Sequence, residues 1–108
     1  SGVLEFGDLQ LFPSRVEVFR GGVPVALGPK EFHLLMILIE RPGQVFSRAQ
    51  LLDLVWGHGV YVEERTVDVH LSRLRKALDQ AGEGALPNLI RTVRGSGYAL
   101  QTSNRSAR

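Results

Sequence analysis

The stretch from Glu63 to Leu78, EERTVDVHLSRLRKAL, constrains the fold more than any other part of the chain. At about 100° per residue, a helix stacks Val67, Leu71, Leu74 and Leu78 into one narrow apolar stripe that needs protein beneath it. The opposite side carries Arg65, Thr66, Val69, Ser72, Arg73 and Lys76, with His70 and Arg75 on the two shoulders. A face made only for water would alternate acids with bases. Here Glu63, Glu64 and Asp68 are the only acids, and two of them stand at the N-terminus, where the helix dipole favours them. The outward surface of cations, hydroxyls and one small apolar group therefore suits a polyanion.

Charge along the chain agrees with that surface. Residues 1–64 hold five Arg or Lys against eight Asp or Glu, whereas residues 65–108 hold eight against three, although the net charge is only +2. A sign change between halves points to a polyanionic partner, though many domains that bind nothing also carry one. The length of 108 residues suits a single domain that buries a core without staples. Cysteine is absent, which removes disulfides and thiolate metal sites and is compatible with a reducing compartment. No apolar run is long enough to span a bilayer, and Ser1-Gly2-Val3 begins no signal pattern. Ser1-Gly2 reads as a cloning remnant on a fragment of a longer protein.

In order, the first thirty residues read as a meander of about four short antiparallel strands. Leu9-Gln10-Leu11, Val16-Glu17-Val18 and Val23-Pro24-Val25 alternate, punctuated by Pro13-Ser14 and Gly21-Gly22. Gly28-Pro29 then opens a helix with Pro at its first position, a core stripe of Phe32, Leu35, Met36 and Ile39, and a stop at Arg41-Pro42-Gly43. Leu34, Ile37 and Leu38 make this helix apolar almost all round, so it should be the most buried one. Ser47 and Gln50 form a capping box before Leu51, Leu52, Val55 and Trp56, and Gly57 ends that helix. The connection Gly57-His58-Gly59-Val60-Tyr61-Val62 is longer than the tight turn of the simplest helix-turn-helix proteins, which invites a separate role. After the basic helix, Gly82-Glu83-Gly84 breaks the pattern. Leu89–Val93 and Tyr98–Leu100 then read as strands joined by Arg94-Gly95-Ser96-Gly97, a hairpin with an arginine at its tip. From about Thr102 the chain is polar, so residues 103–108 are expected to fray, leaving an ordered body of about residues 3–102.

The whole is α+β: a four-stranded antiparallel sheet, three helices and a closing hairpin. From about Leu4 to Leu100 it resembles the winged-helix effector domain of the OmpR/PhoB class of response regulators. The similarity is carried by Val55-Trp56-Gly57, Val60-Tyr61-Val62-Glu63-Glu64-Arg65-Thr66-Val67-Asp68-Val69-His70, Arg73-Leu74-Arg75-Lys76-Ala77-Leu78 and Thr92-Val93-Arg94-Gly95-Ser96-Gly97-Tyr98, which look like the phosphate-regulon subgroup. Ser72 departs from it, because the subgroup would be expected to carry a second arginine there. With serine, one contact to the DNA backbone is weakened, and control of a different regulon stays open.

The resemblance implies transcription regulation in the cytoplasm of a bacterium, with tandem homodimers on direct repeats of double-stranded DNA. It implies an N-terminal receiver domain, absent here, that controls pairing. It also implies that Gly57, His58, Gly59, Val60, Tyr61, Val62, Glu63 and Glu64 face the sigma subunit of RNA polymerase, and that Trp56 lies near the DNA backbone. Glu63 and Glu64 serve equally as helix N-terminal acids, and Trp56 equally as core.

Physical chemistry says how such a helix would work in a major groove. Thr66, Val69, His70 and Arg73 would face base edges and groove walls, with Arg73 able to grip guanine O6 and N7. Val69 is either a probe for a thymine methyl or an ordinary surface valine. Arg65, His70 and Arg75 stand where phosphates would pass, unless that flank is merely solvated or paired. Gly95 would let the hairpin turn tightly so that Arg94 enters a narrow minor groove. Thr92 and Tyr98 could donate hydroxyls to phosphate, and Tyr98 could as easily be core. Catalysis finds no support: His33, His58 and His70 share no ligand spacing, Ser47 has no base, Gly95-Ser96-Gly97 precedes no helix, and no metal or other cofactor is expected. The competing reading is a winged module whose basic helix binds an acidic protein.

Overall fold

A computed structural model describes residues 2–59, 61–81 and 89–101. The expected Gly82-Glu83-Gly84 break, Val60 and the tail from Thr102 lie outside the described residues. Strands β1 (Leu4–Phe6), β2 (Leu9–Phe12), β3 (Glu17–Arg20) and β4 (Val23–Pro24) form an antiparallel meander in sequence order. Leu4 pairs with Leu11 and Leu11 with Val18, which puts Leu9, Leu11 and Val18 on one buried face. On the other face Phe12 and Phe19 meet edge to face, 5.9 Å between centroids.

Val16, expected to begin a strand, instead closes a turn, with its N–H on the Pro13 carbonyl and φ of +52°. Its alternation with Val18 is therefore not a pleat. β3 starts at Glu17, and Val16 is exposed.

Helix α1 (Pro29–Glu40) starts at the expected proline and buries Phe32, Leu34, Leu35, Leu38 and Ile39. It packs on β1, on α2 (Arg48–Val55), on α3 (Arg65–Ala81) and on β6 (Gly97–Leu100), which explains apolar residues on nearly every side. The α2 capping box is present in both directions: Ser47 Oγ accepts from Gln50 N–H at 3.0 Å, and Gln50 Oε1 accepts from Ser47 N–H at 2.8 Å. Helix α3 begins at Arg65, two residues later than the sequence suggests, and runs to Ala81. Its stripe of Val67, Leu71, Leu74 and Leu78 is almost wholly buried, as the periodicity requires.

The hairpin of β5 (Ile90–Val93) and β6 is sewn to the helical body through the segment before α2. Phe46 and Tyr98 exchange both backbone hydrogen bonds, at 2.8 and 2.9 Å, and Gly43 N–H donates to Leu100 O at 3.1 Å. Gly97, expected in the loop, is the first residue of β6 and lies against the Phe46 carbonyl.

Arg20 is the least expected core residue, 1 % exposed at the end of β3. One guanidinium nitrogen donates to Leu78 O at 2.7 Å, one of the last four carbonyls of α3, and Asp8 and Asp79 lie 3.4 and 3.8 Å away. A cation there bonds a carbonyl in the last described turn of α3 and suits the negative end of the dipole. Arg20→Met keeps the aliphatic stem and should cost about 1.5–3 kcal/mol, the range for a charge-assisted hydrogen bond. A lower urea midpoint at unchanged slope is the expected reading; an unmoved midpoint would mean the contact contributes nothing.

Candidate nucleic-acid interface

Helix α3 turns its stripe inward, so geometry dictates what is left outside. Arg65, Val69, Ser72, Arg73 and Lys76 are exposed and Thr66 is half-buried, which gathers most of the expected outward line on one surface. Val69 is 47 % exposed, an apolar spot among cations. Arg65, Arg73 and Lys76 form no ion pair or hydrogen bond with any described residue, so their charge remains available to a ligand. Arg94 and Gly95 stand exposed at the hairpin turn, where Gly95 adopts φ of +77°, a region other residues enter at a cost. Arg94, too, forms no ion pair among the described residues.

The two shoulders behave differently from the sequence expectation. His70 faces α1 rather than standing free: its Nδ1 lies 2.8 Å from Glu31 Oε2, and its ring meets Trp56 edge-on at 5.2 Å. Arg75 faces the hairpin, donating through Nε to Ile90 O at 3.0 Å and through a terminal nitrogen to Thr92 Oγ1 at 2.7 Å. Both side chains therefore act as struts that fix α3 between its neighbours, and the Thr92 hydroxyl oxygen is the acceptor of one of them.

Tyr98 is core, only 5 % exposed, and its hydroxyl donates to Asp68 Oδ1. The same carboxylate oxygen accepts from Arg48 Nε at 2.8 Å, so Asp68 joins the start of α2, the first turn of α3 and β6. The guanidinium groups of Arg75 and Arg48 lie 5.4 and 5.8 Å from the centre of the Tyr98 ring. Arg48 keeps 42 % of its side-chain surface open and adds a cation to this region. Sequence reasoning missed Arg48, Asp68 as a hub, and Glu31. The one available signal for Glu31 was an acid near the start of a helix otherwise apolar all round.

Burial pushes the Asp68 carboxyl up, but the Tyr98 hydroxyl and the hydrogen bond and charge of Arg48 more than reverse this and hold it below its ordinary 3.8. Burial, then the hydrogen bond to Asp68, pushes the Tyr98 hydroxyl above its ordinary 10.0. Between the lowered folded value and 3.8 the unfolded chain binds more protons at Asp68, so stability falls as pH falls through that window. Tyr98 has the opposite sign, its contribution being lost as pH rises above 10.0. Asp68→Asn should flatten the acid limb of a thermal-midpoint profile; a limb identical to that of the unaltered chain would exclude Asp68 as its source.

Trp56 is half-buried against the core at the end of α2, with the Lys30 ammonium 5.4 Å above its ring. Beyond it the connection to α3 is open. His58, Gly59, Tyr61, Glu63 and Glu64 are exposed, Gly57 and Val62 are half-buried, and Val60 lies outside the described residues. Tyr61 touches solvent on all sides. Among the described residues no His, Cys, Asp and Glu cluster could hold a metal, and no helix is long and apolar enough to cross a membrane.

Comparison with known proteins gives this geometry a context. Residues 22–100 match the family model described as transcriptional regulatory protein, C terminal. The phosphate regulon transcriptional regulatory protein PhoB of Rhizobium meliloti is 54 % identical over 102 residues, 94 % of this chain and 44 % of that protein. PhoB of Escherichia coli is 48 % identical over 100 residues, covering 93 % of this chain and 42 % of that protein. The chain thus spans less than half the length of these regulators. The RstA DNA-binding domain of Klebsiella pneumoniae, solved in complex with the RstA box, superposes with a TM-score of 0.79 at 36 % identity, covering 93 % of this chain and 97 % of that one.

Proposed function

We propose that this chain, which belongs to the family of C-terminal domains of transcriptional regulatory proteins and within it to the OmpR/PhoB class, binds double-stranded DNA sequence-specifically as the output domain of a response regulator. The observation that carries this reading is the exposed set Arg65, Arg73 and Lys76, in no ion pair among the described residues, around Val69 on a helix whose other face is buried. In a major groove, Arg73 reads guanine, Val69 meets a thymine methyl, and Arg65, Lys76 and Ser72 face phosphates, while Arg94 enters the minor groove beside it. Trp56 lies at the margin of the same surface. The competing protein-interaction module is less well supported, because the DNA complex of the RstA domain uses the same fold at 36 % identity.

Within this reading the chain is a phosphate-regulon-type activator that pairs in tandem on direct repeats under control of an N-terminal receiver, in the cytoplasm. Identity of 54 % to a PhoB protein supports the subgroup, and Ser72 in place of an arginine is the feature that argues for another regulon. Selection of bound sequences from a random duplex pool tests both levels. Enrichment of a repeat with half-sites spaced by about one helical turn, 10–11 base pairs, is expected. A pool that stays random after selection would contradict sequence-specific binding.

The open connection from Gly57 to Glu64 is assigned to the sigma subunit of RNA polymerase. Its exposed Tyr61, Glu63 and Glu64 offer an aromatic and two acids to a basic partner. Glu64→Lys should leave duplex affinity equal or higher while lowering transcription activation in a reconstituted assay. Unchanged activation would reduce the connection to a linker.

A further inference from the structure

Lys30, in the first turn of α1, is a cation that the helical wheel of α3 cannot show. It enters no ion pair or hydrogen bond with any described residue. Glu31, the acid beside it in sequence, is turned elsewhere: its carboxylate lies 2.8 Å from His70 Nδ1, and its side chain is 9 % exposed. The Lys30 ammonium instead stands over the Trp56 ring, 5.4 Å from its centre. The half-buried stem is thus held against protein while three N–H donors find no acceptor among the described residues. Lys30 also lines a cleft of about 420 Å³ whose walls include Leu27, Pro29 and Ala77, and there it faces the same space as Arg73 of the outward surface. The start of α1, the end of α2 and α3 therefore bring Lys30, Trp56 and Arg73 to one side of the molecule.

We propose that Lys30 is a further DNA-contact residue, whose ammonium donates to one backbone phosphate at the mouth of this cleft and so extends the duplex interface from α3 onto α1. The inference rests on the DNA-binding reading and deepens it by a contact outside the recognition helix. A helix lying in a major groove about 12 Å wide has one strand on each flank. Arg75 ties one flank of α3 to β5, so the hairpin with Arg94 serves the strand on that side. His70 ties the other flank to α1, which is where Lys30 and Trp56 stand. Lys30 gives the second strand a cation that no residue of the hairpin can supply. A lysine suits this place because a compact ammonium on a flexible stem meets a phosphate as a point charge and needs no planar, two-pronged fit.

The test is the affinity of Lys30→Gln for the selected duplex and for a random one, each measured against salt concentration, with folding checked. The log–log salt slope should shrink by about 0.9, one phosphate contact, and the loss should be equal on both duplexes. Lys30→Arg should keep the slope. Arg41→Gln removes a cation at the other end of α1, about 16 Å away along the helix and beyond the screening length of about 8 Å at physiological salt, and should keep it too. Single neutral methylphosphonates placed along the selected duplex then locate the contact. At one position neutralisation should weaken the unaltered chain and leave Lys30→Gln unaffected. A slope unchanged in Lys30→Gln, or a scan in which every phosphate costs the two chains alike, overturns the inference; no binding of either duplex by the unaltered chain overturns the DNA reading beneath it. Should Lys30→Gln fail to fold, Lys30→Met, which keeps an apolar stem against Trp56, takes its place under the same criteria.

Discussion

Gly97→Ala should lower stability by about 3 kcal/mol or more, dropping the unfolding midpoint of a domain this size by about 10 °C or more. Two costs combine. The backbone at Gly97 has φ of +139°, a region that side chains rarely enter, and a Cβ built there would overlap the Phe46 carbonyl and crowd Ser47. Neither obstacle is a flexible side-chain end. Relief requires β6 to move off the segment that exchanges backbone hydrogen bonds with Tyr98, which would also pull Tyr98 from Asp68. Gly95→Ala is the control, since its φ of +77° is strained but nothing lies within 4 Å of the added carbon. It should cost only about 1–2 kcal/mol. Equal midpoints for the two variants would show that the Phe46 contact does not hold the hairpin.

Arg73→Ala should abolish preference for the selected duplex over random DNA by about 1–3 kcal/mol, roughly 5- to 150-fold, with little change in stability. The side chain is exposed and forms no hydrogen bond among the described residues, so its removal leaves no buried partner behind. Lys76→Ala should differ in kind. It should weaken cognate and random duplexes alike and reduce the salt slope by about 1. Arg75→Ala is no longer the clean phosphate probe that the helical wheel suggests, because Arg75 holds Ile90 and Thr92 of the hairpin. Equal losses on both duplexes for Arg73→Ala would remove it from the base-reading role.

These variants separate what the sequence shows locally from what it hides. The α3 stripe, the α2 capping box and Pro29 at the start of α1 were legible because each is a pattern within one or two turns. The struts were not. Glu31 and His70 are 39 positions apart, Asp68 and Tyr98 30, and Arg20 and Leu78 58, and no periodicity announces such pairs. At 100° per residue His70 and Arg75 look like flanks of a binding face. Only the neighbours packed against each shoulder reveal them as ties to α1 and to β5. Val16 failed for the opposite reason: alternation with Val18 imitates a strand, while Pro13 and Ser14 upstream make it the end of a turn.

The central claim is that the outward face of α3, with the hairpin beside it, engages the phosphates of one duplex. Affinity for a cognate duplex measured against salt concentration tests it most directly. Cations released from several phosphates should give a linear log–log plot with a slope of about −0.9 per contact, and so a loss of orders of magnitude between low and moderate salt. An affinity that barely changes with salt, or a duplex no better bound than an acidic protein of equal charge, would contradict the account.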